Sequence, residues 1–398
     1  MTWINFLHLY QPANAESYSI RKALDKSYWR LIRLMEENPR LRMTWNVSGC
    51  LLERLIDEKE DEWLNRLRLL VKKGRLELTG SAAYHGFLPL LPEAEVVWQI
   101  RANEKILRRC FGKSYKPEGF FLPEMAYSPS VAKLVKKLGY NWIILDEITY
   151  RGDFNYAPDV KACYQDEQSG LKVIFRNRAA SSGYPPDILQ GSVAVKEEQL
   201  DNAGRPVIIT ATDAELYGLR HEDPTAELEK LAQSGAYKTV TISSYFKSHR
   251  RRPVKIKIIS GSWESSTREI KKGHPYILWQ NSKNQIQTDL WRLARLAFEA
   301  GEKFKRDKNF YWYRWHLARG LASCAFWWAS AHDFSKIFGP YAWSPDDIER
   351  GLEDLVRSVR SLESPKSKRY KLEAEKRYLR IKKLIWQEHW RKHWQKTI

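Results

Sequence analysis

No run of eighteen apolar residues occurs in this 398-residue chain, which excludes a helix that crosses a membrane. Cysteine is scarce, and Cys50, Cys110, Cys163 and Cys324 stand far apart with no CxxC pair. That spacing excludes a zinc ribbon and a disulfide framework, and it predicts buried free thiols in a reducing compartment. No His and Asp cluster with metal-ligand spacing occurs in the first 280 residues, so no metal is expected. The opening Met1-Thr2-Trp3-Ile4-Asn5 lacks a basic leader and runs directly into an apolar segment, so a cytoplasmic protein is expected. Acidic residues are in deficit as well: 48 Asp+Glu stand against 67 Lys+Arg, a net charge of +19. Such a surplus raises an anionic partner, but Ser364–Ile398 alone carries twelve Lys+Arg against three acids. The remainder is a moderately basic globule, and nucleic acid is not the expected partner.

What is plentiful is apolar and aromatic. A hydrophobic fraction of 43% supports a large core and excludes disorder for the bulk of the chain. Seventeen Trp and twenty Tyr are either core residues or flat platforms on which sugar rings or bases stack. Short apolar runs alternate with helix-period segments through the first 260 residues, the pattern of βα units. Strands are predicted at Ile4–Leu9, Arg42–Val47, Leu76–Thr79, Gly119–Leu122, Trp142–Leu145, Val173–Arg176 and Val207–Ala211. Weaker candidates are Thr239–Ile242 and Lys255–Ile259, the second the better of the two. Seven or eight such strands predict an α/β barrel, closed or nearly so.

After Gly273-His274-Pro275 the period becomes purely helical, over Gln285–Ala300, Phe310–Ser330, Pro345–Leu362 and Lys368–Lys396. The expected division is therefore a catalytic barrel (1–280), a helical domain completing the active-site cleft (281–363) and a basic C-terminal helix (364–398). On that last helix Trp386, Trp390 and Trp394 form one stripe, expected to pack on the body.

Reading off the strand ends collects polar groups that parallel strands would bring to one rim. His8, Tyr10 and Gln11 follow the first strand, His85 the third, Glu124 the fourth, and Asp146 and Glu147 the fifth. Arg176 and Arg178 follow the sixth, Asp213 and Glu215 the seventh, and Trp263 and Glu264 the last. Two carboxylates flanking a glycosidic bond supply a nucleophile and a general acid/base, so this rim is of a sugar-processing type. Spacing alone leaves both Asp146 and Asp213 open as partners of Glu124.

These segments resemble glycoside hydrolase family 57. His8-Leu9-Tyr10-Gln11-Pro12 is similar to the family's HxHQP opening, and Gly74–Pro92 to its second conserved region. Phe121-Leu122-Pro123-Glu124 is similar to the third region, Asp213-Ala214-Glu215-Leu216-Tyr217-Gly218 to the fourth, and Ser262-Trp263-Glu264 to the fifth. Ser323-Cys324-Ala325-Phe326-Trp327-Trp328 resembles a segment of the helical region beyond the family's barrel. The resemblance implies a distorted (β/α)7 barrel followed by a C-terminal α-helical bundle. It also implies a retaining enzyme, amylase-like or 4-α-glucanotransferase-like, that acts on α-linked glucans or oligosaccharides without a cofactor. Glu124 would be the nucleophile and Asp213 the general acid/base, with His8, Gln11, His85, Glu215, Trp263 and Trp327 lining the substrate. Of the adjacent Trp327 and Trp328, one is expected in the core. The chain departs from the family where Tyr10 replaces the second His, and where Leu219 and Arg220 follow Gly218 in place of paired histidines. The competing readings are a catalytically degenerate glucan-binding barrel and a basic scaffold that binds nucleic acid through its tail.

Overall fold

Eight consecutive residues, Thr2–Leu9, are buried and form β1, as a strand covered on both faces must be. The fold is taken from a computed structural model that describes residues 1–160, 162–191, 207–248, 252–331 and 343–395. The chain divides into two compact units. The first comprises Met1–Gln11, Glu16–Ala83 and Leu88–Pro275; the second comprises Pro12–Ala15, Tyr84–Phe87 and Tyr276–Ile398.

The first unit is α/β. Its further strands are β2 (Met43–Val47), β3 (Leu76–Leu78), β4 (Gly119–Phe120), β5 (Trp142–Asp146) and β6 (Tyr164–Asp166). After these come β7 (Lys172–Arg176), β8 (Val207–Asp213), β9 (Lys238–Thr239) and β10 (Val254–Ile256). One parallel sheet runs β3-β2-β1-β8, with β9 also paired to β1. The second runs β10-β6-β7-β5-β4, in which β6 is antiparallel to β7. Gly80 bridges Phe120 in parallel and so joins β3 to β4. On the other flank the Asn177 N–H donates to the Ile209 carbonyl, 2.8 Å, between β7 and β8. Glycine is required at the first junction: a Cβ on Gly80 would lie 2.2 Å from the Tyr140 hydroxyl, and one on Gly119 2.0 Å from the Trp142 ring. Ile4, Phe6, Phe121, Trp142, Ile174 and Ile209, from both sheets, share one core.

Several sequence boundaries shift. The strand predicted at Gly119–Leu122 stops at Phe120, and Pro123–Met125 turns as a short 3₁₀ segment. The strand predicted at Thr239–Ile242 is only Lys238–Thr239, because Ile242 opens a helix to Ser248 on a hydrogen bond from its N–H to Thr44 Oγ1. Lys255–Ile259 shortens to Val254–Ile256, and β6 was not predicted. Ser128 caps the helix Pro129–Lys137 as expected, accepting from the Val131 N–H. All four cysteines are free, three of them buried.

The second unit is helical: Gln285–Lys303, Phe310–Gly320, Ser323–Trp328, Pro345–Ser361 and Lys368–Gln395. The single helix predicted over Phe310–Ser330 is broken, because Ala322 leaves it to form a bridge with Gly86. Neither Trp327 nor Trp328 is core; both are half-buried, and Phe326 takes that role by stacking on Trp291 at 4.2 Å. Of the Trp stripe on the last helix only Trp386 packs inward, half-buried with its indole N–H donating to Glu349 Oε2 at 3.0 Å. Ala374, Ile381, Ile385 and His389 form the buried stripe, while Trp390 and Trp394 are exposed. Lys396, the predicted end of this helix, lies outside the described residues. No helix among the described residues is long and apolar enough to cross a membrane.

Candidate active site

The first unit gathers six of the expected residues: His8, Gln11, Glu124, Asp213, Glu215 and Trp263. His8 and Asp213 are register partners across the β1–β8 pair, so their side chains leave the sheet on the same face. The His8 ring is buried, fixed by Nδ1 against Asn46 Oδ1 at 2.8 Å, and packed on Phe121 with centroids 4.6 Å apart. Burial pushes its pKa down to about 4, with the nearby Asp213 charge opposing, so the imidazole is neutral near pH 7. Tyr10, the departure from the family pattern, stacks on His8 at 5.6 Å and thus keeps an aromatic surface beside it.

Asp213 ends β8. The Arg220 Nη1 donates to its Oδ2 at 2.7 Å, so the residue in place of the family's histidine reaches back to this carboxylate. Two positions on, Glu215 is buried and accepts from Gln11 Nε2 at 2.9 Å and from the Tyr28 hydroxyl. Burial raises the Glu215 pKa to about 6, and Asp213 adds to the rise while Arg220 opposes it. Tyr28 closes a π-helical turn, Leu24–Tyr28, and no sequence pattern marked it for this role.

Glu124 follows β4 with φ 59° and ψ 16°, a left-handed conformation uncommon for a residue with a side chain. It is held from the 260s loop: the Trp263 N–H donates to the Glu124 carbonyl at 3.1 Å, and the Trp263 indole N–H donates to Oε2 at 2.9 Å. Tyr127 and Gly261 form an antiparallel bridge alongside. The Arg176 guanidinium lies 5.2 Å over the Trp263 ring, and the His8 and Trp263 ring centroids are 6.3 Å apart. One aromatic cluster therefore touches the loop of Glu124 and the strand neighbour of Asp213.

Asp146 is occupied otherwise. Fully buried, it accepts from Arg176 Nε at 2.6 Å, Arg178 Nη2 at 2.9 Å and the Ile148 N–H at 3.0 Å. Two guanidiniums on one carboxylate make a structural clamp. His85 and Trp327 belong to the second unit, where the His85 Nδ1 lies 2.9 Å from the Ser323 Oγ and the His85 carbonyl accepts the Ser323 N–H. The sequence does hold one HxxxH pair, His389 and His393 on the last helix, with ring centroids 6.1 Å apart. Among the described residues, no group of three or more His, Cys, Asp or Glu side chains is placed to hold a metal ion.

Residues 3–258 match the family model described as glycosyl hydrolase family 57. Over 177 residues the chain is 30% identical to an α-amylase of Pyrococcus horikoshii, a match covering 44% of this chain and 27% of that relative. The fold superposes on the crystal structure of a 4-α-glucanotransferase from Thermococcus litoralis with a TM-score of 0.69 at 17% identity, covering 91% of this chain and 59% of that one. It also superposes on a branching enzyme of the same family from Thermococcus kodakaraensis, with a TM-score of 0.69 at 17% identity and 94% of each chain covered.

Proposed function

The chain belongs to glycosyl hydrolase family 57, and on that premise we propose that it is a retaining enzyme acting on α-linked glucans, with Glu124 as nucleophile and Asp213 as general acid/base. The observation that carries the assignment is the shared surround of the two carboxylates. Trp263 holds Glu124 by its indole N–H, while His8, packed near Trp263, is the register partner of Asp213. The named activities of the matched relatives support α-glucan as substrate. The two junctions between the sheets support a barrel of seven parallel strands, β1–β5, β7 and β8, with the site at their carboxyl ends.

In this reading Glu124 attacks the anomeric carbon as a carboxylate, and the Trp263 N–H orients the oxygen that does not attack. Asp213 protonates the departing glycosidic oxygen, then removes a proton from the incoming water or sugar hydroxyl. In the resting site Asp213 accepts from Arg220, so that pair opens before the acid can donate. Part-exposure of both side chains makes the opening inexpensive. Neutral His8 and the Gln11–Glu215 pair serve as sugar-hydroxyl partners. Asp146, clamped by two arginines, is left out of the chemistry. No metal or organic cofactor is required, because both displacements run on carboxylates.

The test is product analysis with maltooligosaccharides. Shorter or lengthened glucans whose first-formed anomer is α are expected, and Glu124→Gln should lower turnover roughly 10⁴-fold. A β anomer appearing first excludes retention. Wild-type turnover in the Gln variant excludes Glu124 as nucleophile.

A further inference from the structure

We propose that the outward face of the helix Lys368–Gln395 is a docking surface for an anionic lipid membrane. This is a property of the second unit and does not rest on the catalytic reading. At about 100° per residue, Leu372, Leu379 and Trp390 fall on one line of the helix, with Trp394 to one side and, to the other, the half-buried Trp386, whose indole N–H donates to Glu349 Oε2. Leu372 is 62% exposed, Leu379 64%, Trp390 49% and Trp394 61%. The opposite stripe, Ala374, Ile381, Ile385 and His389, is buried and anchors the helix. A second apolar row about 33 Å long therefore faces outward, uncovered by any other described residue.

Cations border this row. Beside it lies a groove of about 430 Å³ lined by Arg292, Arg295, Lys376, Arg377 and Arg380, against Asp289, Glu299 and Glu373. An adjoining hollow shares Lys376 and Glu299 and reaches Leu372. Asp289 is taken by Arg292 and Arg380, and Glu373 by Arg377. Arg295 and Lys376 form no ion pair among the described residues and are available to phosphate.

Charge selects the occupant. A second copy of this face would set Lys376 and Lys383 against their own counterparts, which repels. Bases would stack on the tryptophans but find no ring at Leu372 or Leu379. A lipid surface uses both parts: Leu and Trp enter the headgroup–acyl boundary while Lys and Arg meet the phosphates.

The test is flotation of the full chain with vesicles of phosphatidylcholine alone or mixed with phosphatidylglycerol, with tryptophan quenching by brominated lipid. The chain is expected to float with the anionic vesicles, at least about tenfold more than with neutral ones. Leu379→Glu with Trp390→Glu, and separately Arg295→Glu with Lys376→Glu, should each reduce binding about tenfold or more while circular dichroism stays unchanged. Absence of flotation, equal binding to neutral vesicles or wild-type binding by either pair overturns the proposal. So does loss of single-stranded RNA binding or of dimerisation by the same substitutions, without any vesicle binding.

Discussion

Glu124 carries a strained backbone, with φ 59°, at the point where its carboxylate is aimed. Such strain costs on the order of 1–3 kcal/mol and persists because the two Trp263 hydrogen bonds and the neighbouring Tyr127–Gly261 bridge hold the loop. Trp263→Phe keeps the ring beside Arg176 and removes only the indole N–H. Turnover is expected to fall roughly tenfold to a hundredfold with KM little changed and stability altered by less than about 1.5 kcal/mol. Steady-state kinetics with a thermal melt decide it, and an unchanged kcat would show that the bond does not orient the proposed nucleophile. Arg220→Met addresses the other acid. The pair with Asp213 is partly exposed, so its loss should change stability by less than about 1 kcal/mol. Its effect should appear as a rise in kcat, because Asp213 no longer has to leave Arg220 before it donates its proton. A large fall in melting temperature with normal kcat would make Arg220 a purely structural residue.

At the scale of elements, β1, β5, β7 and β8 were legible because each is a run of five or more largely buried residues, as a strand covered on both faces is. β6 was not, and β9 was marked only weakly and out of register, the two being three and two residues long and fixed by neighbours rather than by pattern. The break at Ala322 was hidden for the same kind of reason, since its bridge partner Gly86 is far away in the chain. Site residues divide similarly. Strand-end groups could be read off, whereas Tyr28 reaches Glu215 across 187 positions and left no local trace. The choice between Asp146 and Asp213 came from the resemblance, and the two-arginine clamp on Asp146 gives it a physical reason. The glycine at the end of the first sheet junction can be tested directly. Gly119→Ala puts a methyl 2.0 Å from the buried Trp142 ring, so a loss of about 3 kcal/mol or more is expected in urea unfolding. A loss under about 1 kcal/mol would mean that the junction is free to shift.

For the molecule as a whole, two buried groups beside the proposed acids pull its pH dependence in opposite directions. His8 has its pKa lowered from 6.5 to about 4, so its contribution is fully present above pH 6.5 and is lost as pH falls through 4. Glu215 is raised from 4.5 to about 6, so its contribution is fully present below pH 4.5 and is lost as pH rises through 6. Between pH 7 and pH 4.5 His8 therefore costs about 2 kcal/mol and Glu215 returns a similar amount, at about 1.4 kcal/mol per unit of pKa. The two contributions therefore oppose and partly cancel each other in the wild-type profile. Removing one exposes the other. His8→Gln should make stability rise by about 2 kcal/mol on going from pH 7 to pH 4.5, relative to wild type, and Glu215→Gln should make it fall by about as much. Urea unfolding of the three proteins at both pH values measures this. Profiles that run parallel in all three would mean that neither group changes its proton affinity on folding, and that the polar surround of the two carboxylates is wetter than its burial indicates.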